Sequence, residues 1–138
     1  MALKLTNALQ PLNLADTCEI KLSDLFTVKI VQAARHNQAY LSRVAAFAAL
    51  RPDHPMKDAA SPFWADVVQG KLTPDTMTFL SHVIIHDWSL VDDDGQPVPY
   101  SPEAADEVLN TDEAGKVVAS KLLVASFAPG NFEVVLKN

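Results

Sequence analysis

The stretch TPDTMTFLSHVIIHDWSLVDDDGQPVPYSPE, Thr73–Glu103, decides how this chain folds. Its first half reads as a helix. Thr73 supplies a side-chain cap and Pro74 sits at the first helical position, where no backbone N–H is needed. Met77, Leu80, Ile84 and Trp88 then recur at three- and four-residue spacing on one stripe, which makes Trp88 a core anchor in the last turn. The second half reads as a connector. Gly95, behind Asp92, Asp93 and Asp94, can take the positive φ of a tight turn, and Pro97 and Pro99 stiffen an extended return. Tyr100 can cover the Trp88 end of the preceding helix. Ser101 caps the next helix, with Pro102 behind it and Glu103 near the positive end of the helix dipole.

The same start occurs upstream at Ser61–Pro62, followed by an apolar face of Phe63, Trp64, Val67 and Val68 and a stop at Gly70. Downstream, Thr111 is expected to cap a last helix that ends before Pro129 and Gly130. Between about Gln32 and Leu50 the residues Ala34, Leu41, Val44, Ala45 and Ala48 recur at helical spacing, leaving Arg35 and Arg43 for solvent. Before that helix, CEIKL (Cys18–Leu22) and LFTVKIV (Leu25–Val31) read as two short strands joined as a hairpin. The competing reading starts a helix at Ser23. Residues 51–62 hold three prolines and no periodicity, as in a mobile surface loop, and residues 129–138 form a tail that is either a short strand or a helical turn. The expected fold is mainly α (α+β): about five helices packed in one domain, residues 1–138, with a small N-terminal β-hairpin.

The 138 residues are 49% hydrophobic and 20% charged, the composition of an ordinary globular domain with one core. No apolar run approaches the roughly 20 residues of a membrane-spanning helix, and the N-terminus lacks a signal-peptide pattern, so no membrane partner is expected. Cys18 is the single cysteine, best read as a small buried apolar residue. The net charge of -6 argues against nucleic acid as a partner, because phosphate-tracking surfaces need clustered Lys and Arg. The charge is split along the chain. Residues 1–51 carry six basic and three acidic side chains, net +3, and residues 52–138 carry five and fourteen, net -9. Opposite patches of this kind can steer identical copies into head-to-tail contact.

Candidate chemistry fails on spacing. With Gly95 at the sixth position of a calcium loop, Leu90 and Ser101 fall where carboxylates are required. His82 and His86 stand four apart, but Val and Ile replace the catalytic Glu of zinc-protease helices, and a site would need Asp87, His36 or His54 to close it. Gly70-Lys71 and Gly115-Lys116 lack the remainder of a phosphate loop, and no nucleophile elbow occurs. The sequence therefore indicates no enzyme, metal or cofactor.

A Trp, an Asp-rich turn with Gly, and a Pro-aromatic-Ser-Pro-Glu run before a helix closely resemble the tail assembly chaperones of long-tailed bacteriophages. The matching residues are Trp88, Asp92, Asp93, Asp94, Gly95, Pro97, Pro99, Tyr100, Ser101, Pro102 and Glu103. Asn131, Phe132, Lys137 and Asn138 match the family's ending, so the resemblance covers residues 82–138. Ala104 departs from the pattern, where Asn is expected, as does the APG before Asn131. The resemblance implies a non-enzymatic chaperone that binds the helical tape-measure protein, helps recruit tail-tube subunits and self-associates. It would act in the cytoplasm of the infected host and be absent from the virion. The Ala-rich helix and the helices around Trp64 and Met77 are the candidate surfaces. The resemblance also implies a longer product made by ribosomal slippage, which an adenine run encoding Lys137-Asn138 would permit. Two other readings compete: a structural tail or neck protein retained in the virion, and a small metal-dependent enzyme using His82 and His86.

Overall fold

The structure, a computed structural model, describes residues 15–132. Strand β1 (Thr17–Ser23) turns through Asp24 and Leu25 into β2 (Phe26–Val31). Helix α1 (Gln38–Leu50) follows, then a 3-10 turn (Pro55–Lys57), α2 (Pro62–Gln69) and α3 (Pro74–Phe79). A π turn (Leu80–Ile84) leads into strand β3 (Ile85–Leu90), and α4 (Pro102–Asn110), α5 (Glu113–Ser126) and a 3-10 turn (Pro129–Phe132) complete the order.

The expectation of a mainly α fold with only a small hairpin is corrected by β3. The described residues form a mixed α+β domain, with five α-helices and a three-stranded antiparallel sheet in the order β1-β2-β3. The helix expected from Thr73 to Trp88 ends at Phe79. The run Val83-Ile84-Ile85 is β-branched, so its side chains crowd a helix and fit a pleated strand. Asp87 pairs with Lys29 and Ile85 with Ile30, which leaves His86 as the extra residue of a β-bulge. That extra residue lets Ile85 and Trp88, three apart, both face inward, and the bulged strand thereby imitates helical spacing. Both are buried.

Three caps follow the sequence. The hydroxyls of Ser61, Thr73 and Ser101 accept from Phe63, Thr76 and Ala104 N–H, each with Pro next in line. Gly70 closes α2 in the left-handed conformation, with φ of 72°. Two boundaries move. The last helix is capped by Asp112, which accepts from Gly115 N–H, while Thr111 bonds back to Glu107. Helix α1 begins six residues after Gln32, at Gln38 behind an Asn37 cap, and Ala34 lies in the turn before it. The buried Asn37 amide donates to the Asp16 and Gln32 carbonyls at 2.9 Å each, tying this turn to the start of β1.

One core joins the inner sheet face (Val28, Ile30, Ile85, Trp88) to Phe79, Leu80, Ile84, Leu109, Leu122, Leu123 and Phe132. The proline-rich segment after α1 is irregular yet contributes two buried side chains, His54 and Met56. Every buried side-chain polar atom among the described residues has a hydrogen-bond partner. No helix among them is long and apolar enough to cross a membrane.

Candidate functional site

The connector is built from Asp92 outward. Its carboxylate accepts from the N–H groups of Asp94 and Gln96 at 2.9 Å each, and its own N–H donates to the Gln96 carbonyl at 2.9 Å. Gly95 sits in this turn with φ of 78° and open space around its α-carbon, so backbone conformation alone requires glycine there. Val91 and Pro97 form a bridge, and Pro99 carries the extended return toward α4. Asp93 and Asp94 are exposed.

Trp88 closes the connector onto the sheet. Its indole N–H donates to the Val98 carbonyl at 2.8 Å, and Phe26 and Tyr100 meet its ring edge to face at 5.7 and 5.4 Å. The Tyr100 hydroxyl lies 2.7 Å from the Ser81 carbonyl and 2.9 Å from that of Ile85. Burial raises its pKa, with the Arg43 charge and hydrogen bond opposing. Asn131 donates to the Ala125 carbonyl at 3.1 Å, at the end of α5, and Phe132 is buried.

Arg43 and Tyr100 meet at the junction where the π turn becomes β3. A helix that stops this abruptly leaves carbonyls without their usual partners. Arg43, expected to face solvent, instead donates to the carbonyls of Val83 at 2.7 Å, His82 at 3.1 Å and Ile85 at 2.6 Å. Its partners lie about forty residues away in sequence, so nothing local to α1 signals the role.

The histidines separate. His82 belongs to the π turn and stacks on Phe47 at 5.0 Å, whereas His86 is the exposed bulge residue of β3, so the two do not share a helix face. Desolvation lowers the pKa of both. Glu103 and Asp106 oppose the shift at His82; Arg43 and Lys29 reinforce it at His86. His54 is buried between Phe47 and Phe63, each 4.9 Å away. Its Nδ1 accepts from Met56 N–H and its Nε2 faces the Asp75 carbonyl, so both ring nitrogens are engaged in holding the loop. Burial pushes the Cys18 thiol up to about 11, far from a reactive thiolate. Among the described residues no group of three or more His, Cys, Asp and Glu side chains is arranged to hold a metal ion.

An apolar groove of about 420 Å³ lies between α1, the segment after it, α2 and the end of α5. Tyr40, Leu41, Val44, Met56, Trp64 and Phe127 line it, with Arg35 and Lys57 at its margin. A second groove of similar volume runs over Met77 between α3, α4 and α5, with Asp106 and Lys116 in its wall.

Fold and site together define a small α+β protein whose Trp-to-Glu motif serves as architecture and whose open surface is an apolar groove. The profile of the YdaY prophage protein family matches residues 38–126, from the first residue of α1 to the last of α5, and the chain belongs to that family. It is a phage-derived protein. Membership says nothing of tail assembly, and Asn131, Phe132, Lys137 and Asn138 lie beyond the match. No curated protein and no solved structure matches the chain.

Proposed function

We propose that this prophage protein is a non-enzymatic chaperone of tail assembly that binds an apolar stripe of the tape-measure protein and helps recruit tail-tube subunits. The observation that carries the reading is the groove between α1, α2 and the end of α5, open to solvent and walled by aromatic and aliphatic side chains. A helix laid into such a groove buries one apolar face, and the basic rim of Arg35 and Lys57 suits carboxylates flanking that face. Phage origin supports the reading, since a long helical protein made before its tube exists needs its apolar stripes covered. The chaperone would act in the host cytoplasm as a homo-oligomer and leave before the virion is complete.

The test is co-expression with the tape-measure protein of the same prophage. The wild-type chain should keep that protein soluble and co-purify with it. Leu41→Asp, at a groove residue already 37% exposed, should lose both effects while melting at the wild-type temperature. A tape-measure protein equally soluble with and without the chain would overturn the reading. Finding the chain in purified particles would favour a structural subunit instead.

A further inference from the structure

The two edges of the sheet differ. On the β3 side Val98 N–H donates to the Leu90 carbonyl at 2.8 Å and the Asp87 carboxylate accepts from Trp88 N–H, so the connector and a side chain close that edge. On the β1 side, among the described residues, no strand pairs with the outer edge. Gln32 N–H donates to the Asp16 carbonyl, so Asp16, Cys18 and Ile20 bond inward to β2, and Thr17, Glu19 and Lys21 direct their N–H and C=O groups outward. Just ahead of β1, Ala15 N–H donates to the Phe132 carbonyl at 2.7 Å. A row of outward backbone groups is a template for pairing with another chain.

We propose that β1 is an edge of self-association, on which β1 of a second copy pairs antiparallel about a two-fold axis at Ile20. Glu19 then stands opposite the partner's Lys21 and Lys21 opposite the partner's Glu19, and each pair exchanges N–H···O bonds through groups that already point outward. Directly opposed side chains share a face. Both charge pairs therefore fall on the face where Glu19 and Lys21 are exposed, and Ile20 meets the partner's Ile20 on the face that packs against the core. The neighbouring registers fail. An axis at Glu19 or at Lys21 sets like charges against each other, and an axis at Cys18 puts Lys21 opposite the partner's Ala15, whose N–H Phe132 already holds. A one-residue slip turns the charged side chains toward the apolar face. Lys21 also lies 3.2 Å from Asp24, but both are exposed and such a pair competes weakly. This charge complementarity favours a second copy over an unrelated strand, and a two-fold contact closes at two copies. No β1 residue lines the apolar groove, so the pairing stands whether or not that groove binds a helix.

Sedimentation equilibrium and amide exchange on the full chain test the pairing. The wild type should pass from monomer to dimer as protein concentration rises, and the Glu19 and Lys21 amides should slow in step with the dimer. In a mixture of isotope-labelled and unlabelled chains, a nuclear Overhauser contact should connect the α-proton of Ile20 with that of the partner's Ile20. Glu19→Pro removes an outward N–H without touching the ladder to β2, and should weaken the dimer at least about tenfold while the monomer keeps the wild-type circular dichroism. Glu19→Lys and Lys21→Glu should each weaken it about tenfold by opposing like charges. The double reversal restores unlike pairs with their signs exchanged, and should return the dimer to within about threefold of wild type. A monomer at every concentration, a dimer indifferent to Glu19→Pro, or a double reversal as weak as the single ones would each overturn the proposal. Slow exchange at Glu19 and Lys21 that does not change with protein concentration would overturn it as well.

Discussion

Arg43 ties α1 to the helix–strand junction through three carbonyl bonds, and Tyr100 holds the same junction from the connector side. Replacing Arg43 with Met keeps the aliphatic stem and deletes the donors, and should cost about 2–3 kcal/mol because buried acceptors lose charged partners. Tyr100→Phe should cost about 1 kcal/mol. Both side chains reach the Ile85 carbonyl, so a double-mutant cycle in urea should return a coupling of about 0.5–1 kcal/mol; strict additivity would mean the two act separately. Trp88→Ala removes a buried ring, two aromatic contacts and the bond to Val98, and should cost about 3–5 kcal/mol. His82 sets a pH dependence. Its folded pKa lies below the ordinary 6.5, so the unfolded chain binds more protons as pH falls. Stability is therefore full above 6.5 and declines below it until pH passes the folded value. His86 contributes with the same sign. The double variant His82→Gln/His86→Gln should flatten the chemical-denaturation midpoint between about pH 6.5 and 5, and an unaltered slope would exclude these two rings as its source.

At the scale of elements, two glycines with positive φ separate two costs. Gly95 has open space where a Cβ would go, so Gly95→Ala should cost only the left-handed strain, about 1 kcal/mol. Gly70 has the same conformation, but a Cβ there would stand 2.7 Å from Ser120 Oγ and 2.8 Å from Val124 Cγ2. Gly70→Ala should thus be the more destabilising of the pair, since α2 and α5 must part to admit it and the Ser120 bond to the Gly70 carbonyl is strained. Thermal melts of the two variants decide the order, and equal melting temperatures would show that α5 yields freely. Helix starts are legible in the sequence because Ser61, Thr73 and Ser101 act within three residues of themselves. The end of α3 is not. Met77, Leu80, Ile84 and Trp88 are all buried, as a helical stripe requires, but the last lies on a strand whose bulge at His86 alters the spacing.

Among the described residues, those of the basic segment up to Arg51 supply β1, β2 and α1, and those of the acidic remainder supply the other helices, β3 and the Asp92–Asp94 turn. Helix α1 exposes Ala45, Ala46 and Ala49 together with Leu50, which is 63% exposed. If unlike patches bring copies head to tail, with small side chains permitting close contact, association should weaken as salt screens charges beyond about 8 Å. Sedimentation should show larger species at low salt and smaller ones near ~1 M salt. A monomer at every salt and protein concentration would sink the idea, and a salt-insensitive dimer would assign the contact to apolar burial.

Some of this protein is determined within a few neighbouring residues. The hairpin follows from alternation around Ser23 and Asp24, the caps from Ser/Thr-Pro pairs, and the Asp92–Gln96 turn from a carboxylate that reaches N–H groups two and four residues on. Other features depend on partners that are remote in sequence. Residues 85–90 form a strand because β2 offers them a ladder and because Arg43 and Tyr100 satisfy the carbonyls freed where the helix stops. His54 is buried because Phe47, Phe63 and the Asp75 carbonyl converge on it. Neither outcome is written in local propensity, since a hydrogen bond or an aromatic contact is specified only when both partners are positioned, and that positioning belongs to the tertiary structure.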